Sequence, residues 1–363
     1  MKHIVTPMIA LALSVSLLSG CGSKSNEVPV SSPAAEAPSE KASEEKTETP
    51  SENPAPSEEA KENATVYPFS ITVHDQEGLE HEQVFNESPK KAVTNNQAST
   101  ELLLALGLEE FVIGTGDIDN DVLPELQEAY DKIPAIAEKG QVAKEVVIGA
   151  DPDFVIGRAM SFTDERYGII GALNEMGINT YVQEASLMNI KQTLDNIILD
   201  VRNVGKIFDI QDKANEFADS LQKRLDTIKE KTSAIEGDPA KVMFMVKYVG
   251  GEFSVFGQNA SLQTKMLEDM NAVNVAEKGG TLSAENLIAL NPDVIIYVTA
   301  NNNAETDKTA IEDMLANETI SSVSAIANKR IATVEYTELM GYGFRTFDAM
   351  EKIAKAVYPD IFE

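Results

Sequence analysis

The spacing of hydrophobic and polar positions changes several times along the chain. An apolar run, residues 4–18, opens it, and residues 22–65 then carry no aromatic side chain and no apolar period. Phe69, Ile71 and Val73 alternate with polar residues, residues 75–78 supply turn formers, and Val84-Phe85 closes a returning strand, which predicts a hairpin. Short apolar runs at 92–94, 111–114, 154–157, 179–182, 242–246, 294–298 and 331–334 predict buried strands of the kind found in parallel sheets. Helical spacing predicts helices over 99–106, 163–176, 188–207, 211–235, 260–270 and 345–357. Gly107 caps the first of these, and Pro359 follows the last. Polar loops are expected at 95–97, 299–303 and 335–344.

One stretch occurs twice. Glu145-Val-Val-Ile-Gly-Ala-Asp-Pro-Asp-Phe-Val-Ile156 aligns without gaps on Glu285-Asn-Leu-Ile-Ala-Leu-Asn-Pro-Asp-Val-Ile-Ile296. Each copy reads as a short helix, a Pro-Asp stop and a buried strand, because proline ends a helix and biases the residue before it away from helical angles. The glutamates fall in the first helical turn, where the helix dipole favours negative charge. The repeat predicts two similar α/β lobes with an acidic residue at the same place on each. In the stretch between them, Phe217, Leu221, Leu225 and Ile228 form an apolar stripe. A helix of about 25 residues spans roughly 37 Å, enough to bridge two lobes.

Composition sharpens this picture. The 363 residues suffice for two lobes. A net charge of −29 excludes nucleic acid, whose phosphates need basic residues, and argues against anchoring by a basic surface patch. One cysteine, Cys21, excludes an intrachain disulfide, and three histidines, His3, His74 and His81, are too few and scattered for a histidine-built zinc or manganese receptor. His74 and His81 flank the hairpin turn and are expected at the surface. Asp117, Asp119, Asp121 and Glu128 have the spacing of a calcium loop, but Val122 replaces the required glycine and Pro124 intrudes, so an acidic cleft loop is the better reading.

Residues 1–20 read as an export signal, too short for a spanning helix, and Leu18-Ser-Gly-Cys21 closes it. Small residues before the sole cysteine resemble the lipobox of bacterial lipoproteins, in which that cysteine carries a diacylglycerol. Residues 21–65 then form an acidic disordered tether, with a coil reach of about 35–40 Å. The remaining expected divisions are a first lobe over 66–209, a bridging helix over 210–236 and a second lobe over 237–363. In open α/β sheets ligands bind outside the carboxyl ends of strands, which points Arg158, just past one strand, at any cleft.

The signal, the tether, the motif Ala98-Ser-Thr-Glu-Leu-Leu-Leu-Ala-Leu-Gly107, the paired Glu…Pro-Asp units and the long middle helix together resemble the substrate-binding proteins of iron-siderophore, haem and cobalamin ABC importers. The resemblance covers residues 69–363. It implies two Rossmann-like lobes joined by one long rigid helix, with the ligand in the cleft between them. It also implies a monomeric lipoprotein on the extracytoplasmic face of a cell membrane, in a Gram-positive setting. In that family a glutamate on each lobe docks to permease arginines, positions that match Glu145 and Glu285. Cleft residues holding an anionic ferric siderophore would be Asn96, Arg158, Lys247, Tyr248, Tyr342 and Arg345; guanidinium and phenol groups suit hydroxamate or catecholate oxygens. The siderophore already coordinates its iron, so no cofactor and no direct metal ligand is expected. Asn95-Asn96-Gln97 departs from the hydrophobic-Pro-Ser pattern common in the family. Haem and cobalamin stay open as ligands, and a surface adhesion module is the reading from another class. An enzyme is not expected: no histidine stands near a nucleophile, and no glycine-rich phosphate loop precedes a helix.

Overall fold

The computed structural model describes residues 64–362; the export segment, Cys21 and the tether up to residue 63 lie outside the described residues. The hairpin forms as expected, β1 (Phe69–His74) antiparallel to β2 (Glu80–Phe85). It sits beside the first lobe, where Gln83 accepts a hydrogen bond from the Thr180 amide. His81 is part-buried rather than a free surface residue, 3.0 Å from the Asp75 carboxylate.

The first lobe runs through β3 (Ala92–Thr94), α1 (Gln97–Ala105), β4 (Val112–Thr115), α2 (Gln127–Tyr130), α3 (Lys144–Gly149), β5 (Phe154–Gly157), α4 (Ile170–Glu175), β6 (Asn179–Val182) and α5 (Leu194–Ile207). Its four strands are parallel in the order β4-β3-β5-β6, and their side chains are almost all buried. Two predicted helices are shorter than expected. Residues 163–169 make turns before α4, with Gly168 at φ +91°, and α5 begins only after Thr193 closes a capping box with Asn196.

The long helix α6 (Gln211–Ser233) follows. Ala214, Ala218, Leu221, Leu225 and Ile228 are its buried stripe, and Gly205 of α5 lets the two helices meet closely against Ala214. Phe217, expected in the stripe, is half-buried and packs edge-on against Phe344.

The second lobe contains β7 (Ala240–Val249), β8 (Glu252–Phe256), α7 (Ser261–Glu268), β9 (Ala272–Asn274), β10 (Gly280–Leu282), α8 (Ala284–Leu290), β11 (Val294–Thr299), α9 (Ala304–Asp307), α10 (Ala310–Ala316), α11 (Ser324–Ala327), β12 (Ile331–Glu335), α12 (Tyr336–Met340) and α13 (Thr346–Val357). Its sheet has the order β10-β8-β7-β11-β12, with β9 also on β7. β7, β9, β11 and β12 are parallel, and β8 and β10 add an antiparallel edge. The pattern of apolar residues did not reveal β8, β9 or β10, and the expected loop at 335–344 contains α12.

The repeated stretch becomes α3–β5 and α8–β11. In both copies the aspartate after the proline accepts from a backbone amide at the start of a neighbouring strand: Asp153 from Lys90 and Lys91, Asp293 from Lys241. The shared sequence therefore ties each helix–strand unit into its sheet in the same way. The molecule is α/β with two lobes, and α6 lies between them in the chain.

Candidate functional site

The carboxyl ends of both sheets converge on one junction. From the first lobe, β3 leads into Asn95 and Asn96. Asn95 clamps the exit of β5, accepting from the Arg158 amide at 2.7 Å and donating to the Arg158 carbonyl at 3.3 Å. A Cβ at Gly157 would collide with Asn95, so this approach requires glycine. Asn96 caps α1, accepting from the Ser99 amide at 3.2 Å, and donates across the junction to the Gly341 carbonyl at 3.2 Å.

A cavity of about 370 Å³ lies at this junction. Asp119, Lys139 and Arg158 line it from the first lobe; Val246, Phe256, Ala300, Asn302, Asn303 and Tyr336 line it from the second. The size and the mixed apolar and polar lining are those of a small-molecule site. Lys139 pairs with Asp119. Asp117 is nearly inaccessible and pairs with Arg166, while Arg158 stands 4.0 Å from the same carboxylate. One acid thus faces two guanidiniums, and Arg158 keeps positive charge to offer the cavity. Its Nε donates to Ser161 Oγ at 3.1 Å, which fixes the side chain. The Tyr336 phenol is held above its ordinary pKa by burial, with Asp119 adding to the rise and Arg158 opposing it. Tyr342 is raised by burial too, with Tyr336 adding and Arg158 opposing. Both phenols therefore stay protonated as hydrogen-bond donors.

Beside the cavity the lobes are stitched together. The Asn120 side chain accepts from the Thr337 amide at 3.0 Å and donates to the Thr299 carbonyl at 3.3 Å. Asn301 donates to the Asp119 carbonyl and to Asp121, each at 3.3 Å. Gln183 donates to the Tyr342 carbonyl at 3.3 Å. Deeper still, Arg345 bonds Glu101 at 3.0 Å and the Asp121 carbonyl at 3.2 Å, pairs with Glu335, and lies 3.7 Å from Glu338. Glu101 also accepts from Gln97, whose Oε1 accepts from the Asp119 and Asn120 amides. The Glu101 carboxyl is raised by burial, with Arg345 opposing the rise.

The residues expected at the site are therefore dispersed. Arg158 lines the cavity. Asn96, Tyr342 and Arg345 sit at the lobe junction, with the Asn96 amide and the Arg345 guanidinium engaged by protein partners. Lys247 is exposed, at φ +56°. Tyr248 turns into the second lobe, its ring stacked on Phe253 and its hydroxyl accepting from Asn317 at 2.8 Å. Glu145 and Glu285 are both exposed, in the first turns of α3 and α8. The Glu285 carboxyl is held below the usual range by the Ser283 hydroxyl, which donates to it at 2.6 Å. Cys21 lies outside the described residues. Lys139, Phe256 and Tyr336 are cavity residues that the sequence reading did not select. Among the described residues no cluster of His, Cys, Asp and Glu could hold a metal ion. The aspartates of the would-be calcium loop are committed instead to Arg166, Lys139 and Asn301.

Residues 93–336 match the profile of the family described as periplasmic binding protein. The chain belongs to that family. Its members bind solutes and are not enzymes. The chain is 24% identical over 314 residues to an uncharacterized ABC transporter substrate-binding lipoprotein, YvrC, of Bacillus subtilis, covering 86% of this chain and 93% of that one. It is 22% identical over 281 residues to the petrobactin-binding protein YclQ of the same organism, covering 74% and 82%. Among solved structures, a periplasmic binding protein from Veillonella parvula superposes with a TM-score of 0.72 at 24% identity, over 82% of this chain and 93% of that one. An ABC-type Fe3+-hydroxamate transport protein from Saccharomonospora viridis gives 0.62 at 20% identity, over 80% and 99%. The periplasmic heme-binding protein RhuT from Roseiflexus gives 0.58 at 20%, over 76% and 99%. These likenesses show the two-lobe fold.

Proposed function

We propose that this periplasmic binding protein is the extracytoplasmic receptor of an ABC importer, which captures a ferric siderophore between its lobes and passes it to a membrane permease. The observation that carries the reading is the junction cavity, where Arg158 shares a single buried acid with Arg166. A guanidinium fixed by Ser161 and flanked by protonated phenols suits a polyoxygen anion. The iron arrives already wrapped by its chelator, so the protein needs to recognise only the outer oxygens and carbon skeleton. The relatives named for petrobactin and for Fe3+-hydroxamate transport support the same class.

Delivery uses the repeat. The exposed Glu145 and Glu285 stand at the amino ends of α3 and α8, on the cleft side, and each would bond a permease arginine. Residues 1–20 act as the export signal, Cys21 carries the lipid, and residues 21–65 are the tether that keeps the receptor at the cell surface. Arg158 is the proposed ligand contact, with Tyr342 beside it. Lys139 and Tyr336 join them, and Asn96 and Arg345 set the lobe junction.

Haem is a second reading, because Tyr336 offers a phenol at the cavity wall and structural neighbours are named for heme. Titration of the full chain decides between them. The chain has no tryptophan, so its intrinsic emission comes from nine tyrosines. Saturable quenching by ferric siderophores, with none by haemin or cobalamin, is the expected result. A Soret band of a ligated haem would replace the first reading with the second, and no response to any of the three would defeat both.

A further inference from the structure

A second cavity, of about 490 Å³, runs between α6 and α13. Lys223, Lys231, Lys352 and Lys355 stand along its walls, over a floor of Ile228 and Phe362. The cluster runs against the expectation, drawn from the net charge of −29, that no basic surface patch would hold this chain to a membrane. Two of the cations of the groove are neutralised locally. Arg224 is bonded to Asp348 and Glu351, both at 2.6 Å, and Lys352 to Glu338 at 2.6 Å. The other three have no carboxylate partner among the described residues. Lys231 reaches only the Ile361 carbonyl at 3.4 Å and the face of Phe362 at 4.9 Å, and Lys223 and Lys355 are exposed.

The groove lies along the flank of the second lobe, outside the ligand cavity, with which it shares no lining residue. The last carbonyls of α13, on Ala356 and Val357, accept from Arg330, the residue before β12. Thr232, near the end of α6, bonds the Asp269 carbonyl, close to the start of β9. The groove therefore runs from Lys352, whose partner Glu338 belongs to the junction cluster, down to the amino ends of the strands, while the ligand cavity lies at their carboxyl ends.

We propose that this groove docks on an anionic bilayer surface. Three ammoniums without a carboxylate partner among the described residues, over an apolar floor, match a phosphate headgroup with its glycerol and acyl carbons beneath, and lysine stems bury their methylenes on such a surface while keeping their charge at the headgroups. The rest of the acidic body is repelled by the same membrane, but that repulsion is screened beyond about 8 Å at physiological salt, so the contact patch decides the pose. The inference rests on the receptor reading and adds an orientation to it. With the groove on the membrane, the carboxyl ends of the strands stay clear of the surface, so the cleft remains open to arriving ligand. With Glu145 and Glu285 on the permease, the groove is lifted off.

The test uses the full chain with Thr227→Cys, on the exposed lip of the groove, carrying an environment-sensitive dye; the parent chain, labelled in the same way, reads any dye on Cys21. Vesicles of phosphatidylcholine with or without phosphatidylglycerol carry a lipid-bound quencher. The expected result is quenching at position 227 on phosphatidylglycerol vesicles that is lost on pure phosphatidylcholine and lost at about 0.5 M salt. The combined charge reversals Lys223→Glu and Lys355→Glu should abolish it with the far-UV circular dichroism unchanged. A dye at Gln141→Cys, on the cleft side, should stay unquenched. Equal quenching on both lipids, quenching that survives charge reversal, or none on either lipid, as for a groove that takes an acidic protein instead, overturns the proposal. Siderophore titration of the same labelled samples reads the receptor function separately, so failure of one is not mistaken for failure of the other.

Discussion

Arg345→Met tests how the two lobes are held. The guanidinium bonds Glu101 of the first lobe and lies among Glu335 and Glu338 of the second, with its own side chain 6% exposed and that of Glu101 1%. Methionine keeps the volume and removes the charge, leaving two buried acids facing an apolar side chain. Breaking one partner of a buried pair costs about 3–5 kcal/mol. Here the lower end applies, because Gln97 still donates to Glu101 and Lys352 still pairs with Glu338. A loss of about 3 kcal/mol lowers the thermal midpoint of a body of about 300 residues by roughly 5 °C. The pH dependence has a definite sign. Burial raises the Glu101 carboxyl, and Arg345 opposes that rise, so the variant's Glu101 is raised further. A raised carboxyl binds more protons in the folded state than in the unfolded one, so its contribution falls as pH rises through that window. The deficit of the variant should thus be largest at pH 8 and shrink towards pH 5. Adding Glu101→Gln should restore most of the midpoint at pH 8. Circular dichroism melts of the four members of the cycle read this directly. A single-variant loss below about 1 kcal/mol at pH 8, or no recovery in the double variant, refutes the assignment of this cluster as the tie between the lobes.

Three further outcomes follow from the same geometry. Glu145→Ala with Glu285→Ala should abolish ferric-siderophore uptake in cells while leaving solution affinity intact; a fall in affinity would remove the docking role. Asp200, fully buried in the first lobe, accepts from the Tyr181 hydroxyl and the Glu184 amide, both at 2.8 Å, and burial pushes its carboxyl up to about 8. Its contribution to stability should therefore decline as pH rises from about 4 towards 8, by up to about 1.4 kcal/mol per pH unit, and Asp200→Asn, measured by urea midpoints, should flatten that slope. Gly205→Ala sets a new methyl against Ala214 Cβ where α5 meets α6, and should cost about 1–3 kcal/mol by overpacking; an unchanged midpoint would mean the helices move apart freely.

The fold was largely legible because its signals are local. The Pro-Asp stops, the continuous apolar runs and the stripe on α6 each specify an element without help from distant residues. β8 is hidden in the sequence although Phe253 and Val255 alternate with polar neighbours, because Gly250-Gly251 and a five-residue length read as a turn. β9 and β10, three residues each, exist only through pairing with β7 and β8. The site was legible in outline and not in detail. Arg158 could be placed because it immediately follows a strand. Tyr248 could not, because β7 continues past Val246 with Lys247 at φ +56° and a shifted register, which turns the tyrosine towards Phe253. Arg345 reads in sequence as a cation at a helix start, and nothing local announces that Glu101, more than two hundred residues away, meets it. Lys139 and Phe256 lie in different lobes and share a cavity only once the sheets face each other.

The affinity of Arg158→Met for a ferric siderophore, measured against the parent chain by tyrosine emission, tests the central claim most directly. Losing one charge-assisted hydrogen bond is worth about 1.5–3 kcal/mol, which predicts a Kd about 10- to 100-fold weaker with the melting midpoint little changed. An unaltered Kd in a folded variant would place the ligand elsewhere and contradict the account of the junction cavity as the binding site.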